Sequence, residues 1–222
     1  MKNILIPTTF EADTLQAMKM AAYMTENKGR IVLISSSEIS DSITELLFLS
    51  AKDHINTTKR DALRAAWKEY KIENNISMAA EEHHQFGMSR PVMQKLLEGF
   101  EADIIIAPPS IQQSKQYIHK LLLKLLHKSD CPLLLLPEKQ QPSETIQRAL
   151  FLDERTQPLS ASLQQLPFHV IHQSMIQEHK HQPLNTLVDQ LNVDLIVQAK
   201  RNDETAGEYV DVSHLGLPVL TV

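Results

Sequence analysis

Histidines are the side chains of this chain best suited to bind a metal, and the sequence contains ten of them. Six fall in two groups, which are His83-His84 and the set His169, His172, His179 and His181. Zinc binds imidazole, but its ligands must converge on one point. Side chains alternate along a strand, so His172 falls on the opposite face from His169 or beyond the strand end. We therefore expect surface histidines, with a metal-responsive module as the alternative.

The one cysteine, Cys131, is a candidate nucleophile. It begins an apolar run beside Pro132, and the sequence places no general base near it. A buried structural thiol is therefore the favoured interpretation. A single cysteine cannot form an internal disulfide, which fits a reducing compartment.

Hydroxyl and ammonium groups near two predicted turns could attract an anion. They belong to residues 35–37, Ser110, Ser114, Lys115 and Lys120. Such side chains are common where helices begin, and the serines also cap turns. The sequence contains no nucleophile elbow, Walker loop or paired metal motif, so no catalytic group of residues is predicted.

Short apolar runs alternate with segments of helical period, a pattern typical of a parallel sheet covered by helices. The predicted strands are 4–6, 31–34, 76–80, 104–106 and 133–136. The predicted helices are 13–26, 41–71, 90–100 and 113–128. Residues 1–137 are thus predicted to form an α/β domain with a doubly wound, parallel five-stranded sheet.

The rest of the chain repeats this domain in shortened form after a polar segment, 138–147, that we expect to be a linker. Residues 96–106 align with 187–197 without a gap. The sequence Cys131-Pro132-Leu133-Leu134 matches Leu217-Pro218-Val219-Leu220. An internal repeat of this kind predicts a truncated second domain at 148–222.

Three segments resemble universal stress proteins. Residues 1–8 resemble the first strand of that family, 102–107 the fourth strand, and 127–134 the last helix end and fifth strand. The resemblance covers the first 137 residues well and the remainder loosely. It implies a Rossmann-like, adenine nucleotide alpha hydrolase-like fold. It also implies a pseudo-dimer, in which the two copies pair internally through their last strands, 133–136 and 219–222.

Many members of that family bind ATP through an acidic residue after strand one and a Gly-x2-Gly-x9-Gly-Ser/Thr loop after strand four. The corresponding positions here are Pro7, Thr9, Ser35, Pro108, Ser110 and Lys120. Thr9 replaces the acidic residue, and residues 107–114 contain no glycine. Pro108 and Pro109 donate no N–H to a phosphate. The resemblance therefore implies a degenerate nucleotide site and no cofactor.

Three aspartates lie next to predicted strands. Asp153 follows the first strand of the second copy, in the acidic position of the family, but a turn or cap carboxylate is the favoured interpretation. Asp103 and Asp194 precede the fourth strand of each copy, at the amino ends of the strands. A capping or turn role is expected for both.

Charge and hydropathy exclude two classes of partner. The net charge is −5 and the basic residues are scattered, which argues against nucleic-acid binding. The apolar runs are too short for a membrane span, and we expect a cytoplasmic protein without a signal peptide. The predicted function is that of a non-enzymatic stress-response regulator or interaction module, with an unknown protein partner and possible homo-oligomers. The alternative is an ATP-binding protein or slow ATPase with an altered phosphate loop.

Overall fold

Nine strands form one sheet in the computed structural model, which describes residues 3–39, 55–138, 145–152, 167–172, 184–199 and 212–222. The strands are β1 Asn3–Pro7, β2 Arg30–Ser37, β3 Ala79–Phe86, β4 Ile104–Ala107, β5 Leu133–Leu135, β6 Arg148–Leu152, β7 His169–His172, β8 Leu195–Gln198 and β9 Val219–Thr221. Their order across the sheet is β3-β2-β1-β4-β5-β9-β8-β6-β7.

Six α-helices lie in the described ranges. They are α1 Asp13–Met24, α2 Thr57–Glu73, α3 Arg90–Gly99, α4 Pro109–Gln112, α5 Tyr117–His127 and α6 Leu184–Leu191. A 3₁₀ turn at Ser213–Leu215 precedes β9. Among the described residues, none of these helices has both the length and the apolar character needed to cross a bilayer.

All neighbouring strands run parallel except β5 and β9. This antiparallel pair sets Leu134 opposite Leu220, and both side chains are fully buried. The predicted α/β class is confirmed, since a mostly parallel sheet alternates with helices along the chain. The predicted five strands occupy one part of the larger nine-stranded sheet.

The apolar core covers both faces of β1, the strand between β2 and β4. Ile4 and Ile6 pack with residues of α1 and α2 on one face, whereas Leu5 packs with residues of α3 and α5 on the other. Successive side chains of a strand point to opposite faces, so a strand buried on both sides must be apolar throughout. This requirement explains why the run Ile4-Leu5-Ile6 was recognisable in the sequence.

Two predicted elements have different bounds in the structure. The predicted strand 76–80 lies instead at Ala79–Phe86, where the polar run Glu81–His84 pairs in register with β2. β3 is an edge strand, and its partial exposure allows polar residues that a central strand excludes. The predicted helix 113–128 begins later, as α5 Tyr117–His127, and the short helix α4 Pro109–Gln112 precedes it.

The predicted helix 41–71 is described only from Thr57 onward, because residues 40–54 lie outside the described ranges. Asn56 caps this helix by accepting a hydrogen bond from the Lys59 N–H at 3.1 Å. Part of the predicted linker, 139–144, also lies outside the described ranges, and β6 begins at Arg148. The predicted domain boundaries therefore stay a prediction.

Candidate functional site

The carboxyl ends of β1, β2 and β4 meet at one edge of the sheet, where doubly wound folds hold their ligands. Pro7 ends β1, and Thr8 continues the ladder by donating its N–H to the Ile34 carbonyl at 2.8 Å. The buried Thr8 Oγ1 lies 2.9 Å from Thr14 Oγ1. These bonds tie the end of β1 to the first turn of α1.

Phe10 has a left-handed backbone, with a φ of 61°, although it carries a large aromatic side chain. Its N–H donates to Thr8 Oγ1 at 2.8 Å, and its ring is buried in the core cluster next to α1. A left-handed non-glycine residue costs about 1–2 kcal/mol. Burial of the ring and the Thr8 hydrogen bond offset this cost, so the turn after β1 is held rigidly.

Thr9, between Thr8 and Phe10, replaces the acidic residue of the family. Its Oγ1 is buried and makes no hydrogen bond within the described part of the chain. A threonine hydroxyl at this place is neutral. The turn after β1 thus presents no carboxylate at the position that the sequence comparison singled out.

Asp13 is the polar residue that joins the start of α1 to the turn after β4. Its Oδ2 accepts a hydrogen bond from the Ser110 N–H at 2.6 Å, and its Oδ1 accepts one from Ser110 Oγ at 2.8 Å. Asp13 lies in the first turn of α1, and Ser110 lies in the first turn of α4. A carboxylate of this chain therefore occupies the first backbone donor after β4.

The remaining backbone donors of the turn after β4 also have partners within the chain. The N–H groups of Ile111 and Gln112 donate to the Pro108 carbonyl, and that of Gln113 donates to the Pro109 carbonyl. The two prolines have no N–H. Between Pro108 and Gln113, each backbone donor is already used by another group of the chain.

Ser35 is another of the predicted site positions, and its side chain forms a hydrogen bond with His84. Ser35 Oγ lies 2.8 Å from His84 Nδ1, and Ser37 Oγ lies 3.0 Å from His84 Nε2. The register pairs Ser35 with His84 on β2 and β3, so their side chains share one face of the sheet. His83 points to the opposite face, where its ring contacts Phe100 edge to face.

His119, which stands with Lys120 at the approximate position of the last Gly-Ser of the family loop, is buried at the same edge of the sheet. Its Nδ1 lies 2.7 Å from Ser114 Oγ. Burial lowers the pKa of this imidazole, while a hydrogen bond with the Ser36 backbone and the charge of Glu38 oppose that shift. A histidine within the Leu-rich run of α5 was the signal available in the sequence.

The structure does not bring the other predicted residues together. Lys120 and Lys115 are exposed, and the partly buried Cys131 donates through Sγ to the Ala102 carbonyl at 3.4 Å. Asp153, His179 and His181 lie outside the described residues. Among the residues that the structure describes, no three potential metal ligands cluster.

The two aspartates at the amino ends of the fourth strands have the capping role that was expected. Asp103 Oδ2 accepts the Asn3 N–H at 3.0 Å, and Asp194 Oδ2 accepts the Arg148 N–H at 3.1 Å. Each carboxylate thus binds the first residue of the neighbouring strand, β1 or β6, at the edge opposite the candidate site.

No family model and no curated protein matches the sequence. Solved structures do match over the full chain. A universal stress protein from Archaeoglobus fulgidus DSM 4304 aligns with a TM-score of 0.57 and 12% identity, covering 99% of this chain and 97% of that one. A functionally unknown protein from Pseudomonas aeruginosa PAO1 aligns with a TM-score of 0.55 and 14% identity, covering 100% and 92%.

Proposed function

Starting from the universal stress protein fold, which this chain has, we propose that the protein is a non-enzymatic stress-response regulator or interaction module whose nucleotide site is degenerate. The observation that carries this proposal is the pair of hydrogen bonds between Asp13 and Ser110. Through these bonds the Asp13 carboxylate occupies the Ser110 N–H, the first backbone donor after β4.

Electrostatics support the absence of nucleotide binding. A triphosphate at the carboxyl edge would approach the Asp13 carboxylate, and like charges at close range repel. Phosphate sites at strand-to-helix turns rely on free backbone N–H groups. Here Pro108 and Pro109 have none, and the Ser110 N–H is already bonded. A phosphate that bound the Ser110 N–H would first have to displace the Asp13 carboxylate.

Titration calorimetry with MgATP tests this proposal. We expect no measurable binding to the wild-type protein. Asp13→Ala removes the competing carboxylate, and Asp189→Ala, an exposed acid on α6, serves as the matched control. Micromolar binding of MgATP to the wild type would overturn the proposal and favour the alternative, an ATP-binding protein or slow ATPase.

We also propose that the chain is a tandem of two copies that form a pseudo-dimer through β5 and β9. The strand order on one side of this pair, β5-β4-β1-β2, matches the order β9-β8-β6-β7 on the other. Individual hydrogen bonds match as well. The Leu136 N–H donates to the Ala107 carbonyl at 3.1 Å, and the Val222 N–H donates to the Gln198 carbonyl at 2.9 Å.

Backbone conformation supports the same proposal. Glu101 and Asn192, which are equivalent in the proposed repeat, have left-handed φ values of 50° and 48°. Each lies in the connection between a helix and the fourth strand of its copy. Left-handed residues other than glycine are uncommon, so their recurrence at one equivalent position favours a common origin for the two halves.

The proposed regulator would act through a protein partner in the cytoplasm, and it would need no bound cofactor. Its two edge strands, β3 and β7, are the places where another chain could extend the sheet. Self-association would give a homo-oligomer, which light scattering coupled to gel filtration would detect as a mass above 25.2 kDa. Affinity capture under stress conditions, with mass spectrometry, would identify a different partner.

A further inference from the structure

The contact between Ser114 and His119 contains a nucleophile and a base within hydrogen-bonding distance. Ser114 precedes α5 and is partly buried, whereas His119 is 5% exposed on the buried side of the helix. The distance from Ser114 Oγ to His119 Nδ1 is 2.7 Å. A serine hydroxyl is a weak nucleophile until an adjacent base accepts its proton.

The tautomer of His119 follows from its other partner. A hydrogen bond with the Ser36 backbone raises the pKa of the imidazole, which is the effect of a carbonyl that accepts from the ring. Nδ1 faces Ser114, which leaves Nε2 to carry that proton. A neutral imidazole has one donor and one acceptor nitrogen. Nδ1 is therefore the acceptor, and the Ser114 hydroxyl donates to it.

The other hydrogen bond of Ser114 agrees with this direction. The Gln116 N–H donates to Ser114 Oγ at 3.3 Å, which leaves the hydroxyl proton available for His119 Nδ1. Burial keeps the imidazole neutral near pH 7, because desolvation disfavours the imidazolium. The base is therefore in its active form at neutral pH.

We propose that Ser114 is a modification site that accepts an acyl group from small activated esters, with His119 as its general base. In this step Ser114 Oγ attacks the acyl carbon and the Oγ–C bond forms. The proton of the hydroxyl moves to His119 Nδ1. The ester C–O bond breaks, and the leaving alkoxide takes the proton from Nδ1 as it departs.

The charges around Ser114 do not select one class of donor. Lys115 adjoins the serine in sequence and Lys120 adjoins the histidine, and both are exposed. The charge of Glu38 also acts on His119, and it opposes the attraction of these cations for anions. The product is an acyl-serine, which goes beyond the function proposed above and does not depend on it.

A serine-directed fluorophosphonate probe tests the site on the full chain. The P–F bond breaks, an Oγ–P bond forms, fluoride leaves, and the proton passes through His119 to solvent. Peptide mass spectrometry should find one adduct, at Ser114. Ser114→Ala should abolish it, and His119→Gln should slow labelling by about 10²-fold or more, the usual contribution of a general base.

Ser129 offers a matched control at the other end of α5. Its Oγ donates to the Leu126 carbonyl at 2.7 Å. Labelling of Ser114 in Ser129→Ala should equal that of the wild type. A second reaction, with p-nitrophenyl acetate, should place acetyl on the Ser114 hydroxyl in the mapped peptide.

The pH profile of the wild type keeps the proposal testable even if His119→Gln fails to fold. Labelling should rise with pH through the lowered pKa of His119 and then level off near neutrality. An unassisted hydroxyl would instead react faster at each higher pH. The proposal is wrong if the wild type is not labelled at Ser114, if a folded His119→Gln labels equally fast, or if the profile shows no plateau.

Discussion

Replacing Asp13 should destabilise the fold, because its carboxylate joins α1 to the turn after β4. Asp13→Ala removes the acceptors of the Ser110 N–H at 2.6 Å and of the Ser110 hydroxyl at 2.8 Å. Hydrogen bonds to a charged group contribute about 1.5–3 kcal/mol each. The site is partly exposed, so water replaces part of this interaction, and we expect a total loss of about 2–4 kcal/mol.

The isosteric change Asp13→Asn separates charge from shape. The amide has one acceptor oxygen instead of two and no charge, so it retains one neutral hydrogen bond to Ser110. We expect Asn to lose about half as much stability as Ala, on the order of 1–2 kcal/mol. The free energy of unfolding should therefore decrease in the order wild type, Asp13→Asn, Asp13→Ala.

Urea unfolding followed by far-ultraviolet circular dichroism measures these free energies. Asp189→Ala, the exposed control on α6, should stay within about 0.5 kcal/mol of the wild type. If Asp13→Ala costs less than about 0.5 kcal/mol, the Asp13–Ser110 contact contributes little, and the account of a site filled by the chain's own carboxylate loses its basis.

Three further predictions follow from other contacts. The pKa of His119 is lowered in the folded protein, so the unfolded chain binds more protons as pH drops below the ordinary value of 6.5, and wild-type stability should fall there. His119→Gln should reduce this loss of stability. Urea midpoints that depend on pH equally in the variant and the wild type would contradict this prediction. Tyr23 Oη donates to the Ile146 carbonyl at 2.7 Å, so Tyr23→Phe should cost about 1 kcal/mol, and a urea midpoint equal to wild type would contradict it. The pKa of Tyr23 is raised above 10.0, mainly by burial, so its contribution persists below pH 10 and is lost as pH rises through the folded pKa. Glu101 has a φ of 50°, so Glu101→Gly should stabilise the protein by about 0.5–1 kcal/mol, whereas a lower melting temperature would show that the side chain matters more than the backbone.

Central strands were predictable because burial on both faces restricts their composition. Ile4-Leu5-Ile6 and Ile104-Ile105-Ile106 must be apolar at every position, and a continuous apolar run bounded by polar residues is visible without a structure. The edge strand β3 was misplaced by several residues for the converse reason. Its run Glu81–His84 satisfies backbone pairing with β2 while its side chains stay polar, so no apolar pattern marks it.

The candidate site was only partly predictable. The missing glycines and the two prolines after β4 are facts of the sequence, and they indicate a turn poor in free N–H groups. The sequence did not indicate that Asp13 fills this turn, because an aspartate at the start of a helix most often caps that same helix. In the structure the N-cap of α1 is Ala12, and the Asp13 carboxylate binds Ser110 instead.

The sequence by itself determined the alternation of strands and helices, and with it the α/β class, because the period of apolar residues depends on local backbone geometry. Tertiary structure alone decided which polar groups meet. Asp13 and Ser110 are 97 positions apart, and the imidazole of His119 reaches the backbone of Ser36 from another element. Such contacts depend on the order and direction of the strands, and a hydrogen bond between distant residues leaves no periodic trace in the chain.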